Sequence, residues 1–228
     1  MKSTGGSDAQ KRAAGESAAE EVEYGVVVGL GTGSTAAHAI RAIGRKVDSG
    51  FDVRGIPTSF QSRELAKQAE VPLTTLDEAD AVDLAIDGAD QFSGPHLVKG
   101  GGAAHAREKI VDAAADRLLV VADPSKAAGR LDHPVPVEVL PDARTTVAAE
   151  LRSLGGSPTL RRAERKDGPV VTDNGNLVLD CDFGKIPNPA ELAADLAGLP
   201  GAVEHGLFVG MADEIHVGRD EGIEVREF

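Results

Sequence analysis

The sequence predicts an α/β protein: a parallel sheet with helices on both faces, and a smaller α+β unit set into the C-terminal half. Three observations carry that expectation. Short apolar, β-branched runs alternate with helical stretches up to about Leu131, the pattern of a parallel sheet. Beyond that point the order becomes β-α-β-β-α-β, the order of a ferredoxin-like unit. The length of 228 residues suits one large domain, or one with a small companion.

The elements follow in order. Residues 8–22 are Ala-rich with scattered charges and predict a first helix. Tyr24–Leu30 is a buried strand that enters a Gly-Thr-Gly-Ser-Thr turn and a helix from Ala36 to Ile43. Phe51–Ile56 is a strand, Ser59–Ala69 a helix, Val71–Leu76 a strand and Val82–Asp87 another. Lys99–Gly102 is a glycine loop opening a helix from Ala103 to Ala115, and Arg117–Ala122 is a strand. In the small unit, Val135–Leu140 is a strand, Arg144–Leu154 a helix and Thr159–Ala163 a strand. Val170–Asp182 predicts a hairpin turning at Asn174-Gly175, followed by a helix at Pro189–Leu196 and a strand at Val203–Val209. The last stretch holds short strands that return to the large sheet. The Gly/Ser-rich start, Met1–Gln10, reads as a frayed tail.

Composition narrows the function. Hydrophobic residues are 41% and aromatics only 3%, with no Trp, so the core is Val, Leu, Ile and Ala. The balance of 24 basic and 37 acidic residues, a net charge of -13, argues against a phosphate-backbone or anionic-lipid partner. An anionic small substrate remains compatible, because a local cradle overrides the global sign. Cys181 is alone in an apolar run; it predicts no disulfide framework, a buried thiol and a reducing cytoplasm. No stretch reaches the length of a membrane span. The six histidines show no ligand spacing, so no metal site is expected.

Four segments carry chemistry. Gly31-Thr32-Gly33-Ser34-Thr35 joins a strand to a helix, where glycines admit a ligand and the helix N-terminus suits an anion. Ser34 stands where the dinucleotide fingerprint needs Gly, and Pro57-Thr58-Ser59 where it needs an acid, which favours a monophosphate. A structural turn with a Ser/Thr cap is the alternative. Asp87-Gly88-Ala89-Asp90 sits at a strand's carboxyl end, as proton-transfer or hydroxyl-orienting acids or as a solvated turn. Lys99-Gly100-Gly101-Gly102 sets a cation beside a glycine loop, as an oxyanion site requires, and Glu108 follows two turns into the helix. An exposed helix acid is the alternative for Glu108. Asp123-Pro124-Ser125-Lys126 ends another apolar strand, as a crevice lysine or a solvated turn.

These segments stand in one order: GLGTGSTAAH, DLAIDGADQ, LVKGGGAAHAREKIV and ADPSK. With IPTSFQSRELA, PVEVLP, VTDNGN and PGAVEHGLF, the chain resembles ribose-5-phosphate isomerase of type A over about 11–218. The resemblance implies a Rossmann-like isomerase domain at 1–131 and 207–228 with an inserted ferredoxin-like α+β domain at 132–206. It implies interconversion of ribose 5-phosphate and ribulose 5-phosphate without metal or cofactor, in a cytoplasmic homodimer or homotetramer. By matched position, Thr32, Gly33, Ser34 and Thr35 hold phosphate or sugar. Asp87, Gly88, Ala89, Asp90, Lys99, Gly100, Gly101 and Gly102 line the sugar. Glu108 is the general base, Lys126 a substrate ligand, and Lys11 the match to the family's N-terminal lysine. Asp87 opens the ring, Asp90 holds or shuttles hydroxyl protons, and Lys99 with the glycine loop stabilises the enediolate.

The family's acidic segment commonly ends in an acid where Gln91 stands here, and Gln91–Val98 is idiosyncratic. A related sugar-phosphate deaminase or lactonase, or a non-catalytic sugar-phosphate sensor, is the alternative; the sensor lacks room for a DNA-binding module. A surface with 9 Lys against 15 Arg and this acidic excess predicts a salt-rich cytoplasm that screens self-repulsion. Rising KCl is therefore expected to hold or raise the denaturation midpoint; a midpoint that falls with KCl refutes that expectation.

Overall fold

Residues 5–228 are described by a computed structural model. The first four residues of the tail reading lie outside them. From Ser7 onward the chain is not frayed: Ser7 caps α1 (Asp8–Glu20) and exchanges capping hydrogen bonds with Gln10. In chain order follow β1 (Val26–Leu30), α2 (Ala36–Asp48), β2 (Val53–Pro57), α3 (Phe60–Gln68) and β3 (Leu84–Gly88). A hairpin of β4 (Gln91–Ser93) and β5 (His96–Val98) precedes α4 (His105–Ala114) and β6 (Leu118–Ala122). The remaining elements are β7 (Val135–Val139), α5 (Arg144–Ser153), β8 (Ser157–Leu160), β9 (Leu177–Asp182), α6 (Pro189–Ala197), β10 (Ala202–His205), β11 (Leu207–Phe208), β12 (Glu214–Arg219) and β13 (Gly222–Glu227).

The chain divides into two compact units. One comprises the described residues up to Ala89, with Arg107–Ala127 and Met211–Phe228; the other comprises Asp90–Ala106 and Ala128–Gly210. Residues 90–106 fall in the second unit because β5 pairs with β11, making a three-stranded sheet with β4.

The first unit holds a sheet in the order β13-β12-β6-β3-β1-β2, parallel except for the edge strand β13. Its registers put Leu30 beside Ile86 and Gly88 beside Val121, so the turns after β1, β3 and β6 leave the same carboxyl edge. Small residues let the helices approach closely in place of aromatic bulk. A Cβ on Gly15 of α1 would lie 2.8 Å from the Ala39 nitrogen of α2. Ala14, Ala18, Ala36, Ile40 and Ile43 share that core with Val28, Leu30 and Ile86.

The second unit's main sheet has the order β10-β7-β9-β8 and is antiparallel throughout. Its connectivity is that of the expected ferredoxin-like unit. Helices α5 and α6 contribute Val147, Leu151 and Leu196 to a core with Val135, Val137, Leu179 and Cys181. Cys181 is buried, and burial pushes its thiol up to about 12, so it carries no thiolate near neutrality.

Three further expectations differ from the structure. Val71–Leu76 is not a strand. Pro72 has no N–H to give, and the segment meets β2 through a single bridge at Leu73. The first arm of the Val170–Asp182 hairpin is likewise reduced to a single bridge, from Val171 to Leu177. Val203–Val209 splits at Gly206, where a side chain would collide with the Lys99 carbonyl oxygen.

His216 on β12 is 2% exposed. Its Nδ1 lies 2.8 Å from the Ser17 hydroxyl and its Nε2 3.3 Å from Glu214. Burial lowers its pKa, against the opposing pull of Glu214 and Glu21; Arg117 lowers it further. The unfolded chain therefore takes up this proton first as pH falls. The contribution is complete above the ordinary value of 6.5 and is lost as pH drops below it. His216→Gln is expected to flatten the fall in unfolding free energy between about pH 7.5 and about pH 5.5, measured by urea titration.

Candidate active site

The carboxyl edge of the parallel sheet gathers one set of the expected residues. Asp87 is wholly buried at the end of β3. Its Oδ1 accepts the Thr32 N–H at 3.0 Å and the Gly88 N–H at 2.6 Å. The loop after β1 comes so near that a Cβ on Gly31 would strike this carboxylate. Gly31 is thus required for space. Gly33, at φ +110 with nothing near its Cβ position, is required for conformation.

The hydroxyls of that loop divide their work. Thr32 Oγ1 donates to Ser59 Oγ at 2.7 Å and lies 3.0 Å from Thr58 Oγ1. It ties β1's turn to the turn after β2. Ser34 is exposed, and Thr35 heads α2 without a side-chain capping bond. Ser34, Thr35 and the N-terminus of α2 are therefore the part of the turn whose donors are chemically suited to an anion.

At the next strand, Asp123 caps a short turn, Pro124–Lys126, by accepting from the Ser125 amide at 2.9 Å and from its hydroxyl. The turn holds Lys126 at 9% exposure. Gly5 and Gly6 pack against Ser125 and Asp123. The start of α1 therefore lies at this same edge, with the half-buried Lys11 in its first turns. Glu108, on α4, is 4% exposed rather than a solvated helix acid. A groove of about 710 Å³ on this unit is lined by Phe60, Arg63, Arg107 and Ile110, and includes none of the expected site residues.

The second unit holds the glycine loop. Asp90 Oδ2 accepts the Gly101 N–H at 2.6 Å, so that amide is committed within the protein. Gly100 has φ +102, and a Cβ there would lie 2.7 Å from His105 Nδ1. Ala103 takes a positive φ of 59, an unusual state for a residue with a side chain. Lys99 is 2% exposed, with its Nζ 5.2 Å from the centre of the buried Phe208 ring. His105, fully buried at the head of α4, donates from Nε2 to the Glu204 carbonyl at 3.3 Å.

Gln91 has a role that an acid could not fill. Its Nε2 donates to Asp132 at 2.6 Å while its Oε1 accepts the amides of Asp132 and His133 at 2.7 and 2.9 Å. A carboxylate could accept but not donate. Sequence reasoning missed Gln91's pin, the hairpin it opens, and Arg161. The Arg161 guanidinium grips Asp180 with two nitrogens and reaches the carbonyls of Gly100 at 2.8 Å and Gly101 at 3.3 Å.

A parallel sheet with hydroxyl- and glycine-rich turns, buried acids and buried lysines defines an α/β enzyme for a small anionic substrate. The model of the family described as ribose 5-phosphate isomerase A (phosphoriboisomerase A) matches residues 54–222. The ribose-5-phosphate isomerase A of Haloarcula marismortui is 72% identical over 97% of each chain. Among solved structures, ribose 5-phosphate isomerase A of Methanocaldococcus jannaschii superposes with a TM-score of 0.92, at 42% identity over 96% of this chain and 98% of that one. A D-ribose-5-phosphate isomerase in complex with phospho-erythronic acid gives 0.94 at 39% identity, over the same shares of the two chains. The chain belongs to the ribose 5-phosphate isomerase A family.

The contact between Gly31 and Asp87 has a measurable cost. Gly31→Ala is expected to destabilise the protein by ~1–3 kcal/mol, as overpacking does. Ser34→Ala, at an exposed position of the same turn, is expected to stay within about 0.5 kcal/mol of the parent. Denaturant unfolding of the pair checks both.

Proposed function

We propose that the chain interconverts D-ribose 5-phosphate and D-ribulose 5-phosphate by proton transfer through a 1,2-enediolate. Family membership over nearly the whole chain supports the reaction. The burial of Glu108 on the helix that follows the glycine loop is the observation that carries the mechanism. A buried carboxylate is a stronger base toward carbon than a solvated one.

Asp87 moves a proton from the anomeric hydroxyl to the ring oxygen, which opens the furanose. Glu108 then takes the proton from C2. The electron pair forms the C1–C2 double bond, and negative charge develops on O1, the former carbonyl oxygen. Lys99 and the glycine loop stabilise that charge. Asp90 holds the hydroxyls while a proton passes from O2 to O1, and Glu108 returns its proton to C1, leaving the ketone at C2. Thr35, Ser34, Gly33 and the N-terminus of α2 hold the phosphate, with Thr32 bracing the turn. Lys126 and Lys11 supply positive charge at the sheet's carboxyl edge, while Gly88 and Ala89 leave room for the sugar.

The reading needs no metal or cofactor, and every proton step has a side chain to perform it. Among the described residues, no group of three His, Cys, Asp or Glu side chains could hold a metal ion. It also includes a homodimer or homotetramer, for which the exposed Phe60 and Ile110 beside the groove supply apolar surface. A reducing cytoplasm suits the single buried thiol. No helix among the described residues is long and apolar enough to cross a membrane.

Purified protein assayed with EDTA is expected to convert ribose 5-phosphate to ribulose 5-phosphate. Glu108→Gln is expected to lower kcat on the order of 10²–10⁴-fold with KM nearly unchanged. Near-normal kcat in that variant removes Glu108 as the base. No turnover by folded wild type rejects the reaction and moves the deaminase and lactonase assays forward.

A further inference from the structure

The glycine loop is held from behind by a side chain that the mechanism above does not use. Arg161 follows β8, and its backbone is fixed on both sides: its N–H donates to the Val178 carbonyl at 2.9 Å, and its carbonyl accepts the Val170 N–H at 3.0 Å. Its Nε donates to Asp180 Oδ2 at 2.8 Å, and a terminal nitrogen donates to Asp180 Oδ1. The other terminal nitrogen reaches the Gly100 and Gly101 carbonyls, some sixty residues away in sequence. The side chain is about nine-tenths buried and its planar fork is divided between a carboxylate and two peptide groups.

The consequence follows from peptide geometry. No cis peptide is present among the described residues, and in a trans peptide the C=O and N–H point to opposite sides. The Gly100 carbonyl faces Arg161 while the Gly101 N–H faces Asp90. The Gly101 carbonyl also faces Arg161, which aims the Gly102 N–H away from the guanidinium, on a residue that is exposed. Three consecutive glycines have no intrinsic preference for this arrangement. With the Gly101 N–H held by Asp90 and the Ala103 N–H by the Gly100 carbonyl at 2.9 Å, the Gly102 N–H, on the exposed residue of the loop, is the amide of Gly101–Ala103 that can face developing negative charge. We infer that Arg161, locked by Asp180, is a positioning residue for enediolate stabilisation: it sets the direction of the Gly102 N–H and never touches the substrate.

This inference rests on the isomerase reading. An oxyanion donor that strengthens only as charge develops acts on kcat and leaves ground-state binding alone. Arg161→Gln is expected to lower kcat on the order of 10²-fold, with KM for ribose 5-phosphate within about threefold of wild type. Phospho-erythronic acid is a four-carbon sugar acid whose carboxylate mimics the charged enediolate, so its inhibition constant is expected to rise by a similar factor. Arg161→Lys keeps the charge but cannot hold both carbonyls and the carboxylate, and is expected to recover only part of the rate. Asp180→Asn, which loosens the guanidinium without removing it, is expected to fall between wild type and Arg161→Gln. Added guanidinium is expected to raise kcat of Arg161→Ala and leave wild type unchanged.

A folded Arg161→Gln protein with wild-type kcat overturns the inference, as does one whose KM and inhibition constant rise together. Should Arg161→Gln fail to fold, folded Arg161→Lys and Asp180→Asn proteins decide the matter, and kcat in both within about twofold of wild type overturns it. Wild type without turnover overturns the isomerase reading itself, which separates that failure from one in which wild type turns over and the variants match it.

Discussion

The buried carboxylate of Asp87 organises the sheet's carboxyl edge. A polar group with no solvent exposure needs hydrogen-bond partners supplied by the fold, and two backbone amides, from Thr32 and Gly88, converge on a single oxygen. One amide comes from the turn after β1 and the other from the last residue of β3, so one acid joins the ends of the two strands. Gly31 has no side chain because that acid occupies the space. From this contact the rest of the edge follows. Thr32 is turned toward Thr58 and Ser59, the turn after β2 is drawn in, and Ser34 and Thr35 are left facing outward at the head of α2.

Glycine serves two separate physical ends in the two constellations. Gly31 and Gly206 are small because another group occupies their Cβ position. Gly33 is glycine because of its backbone angle alone. Gly100 meets both conditions at once, with positive φ and the His105 ring beside it. A loop of this composition holds one shape only if its flexibility is removed from outside. Asp90 holds one amide from the front, and Arg161 holds two carbonyls from behind.

Much of this was legible in the sequence. β1 and β6 are unbroken apolar runs and β3 is one up to Asp87, so the strand ends and the candidate chemistry beyond them were read together. The order β7-α5-β8-β9-α6-β10 was visible from turn signals such as Asn174-Gly175. The failures have physical causes. Val71–Leu76 has a strand's composition, but Pro72 cannot donate to a ladder. The Gln91–Val98 segment is only two three-residue strands, too short for any period to register. Arg161 lies in a polar stretch with Arg162 and Arg165, where nothing local separates a buried guanidinium from two ordinary surface ones. Its partner lies nineteen residues on, and its target some sixty residues back.

The edge strand β13 carries a consequence of another kind. A parallel sheet that ended at β12 would present a row of unpaired amides and carbonyls, a template for pairing with a neighbouring molecule. The chain instead turns back on itself there, and the covering strand places Glu224 between Arg219 and Arg226. On the opposite edge, the proline that spoils Val71–Leu76 as a strand ends pairing beside β2. Both borders of the sheet are therefore poor at recruiting a further strand, and a crowded, highly concentrated interior could hold this protein without edge-to-edge growth.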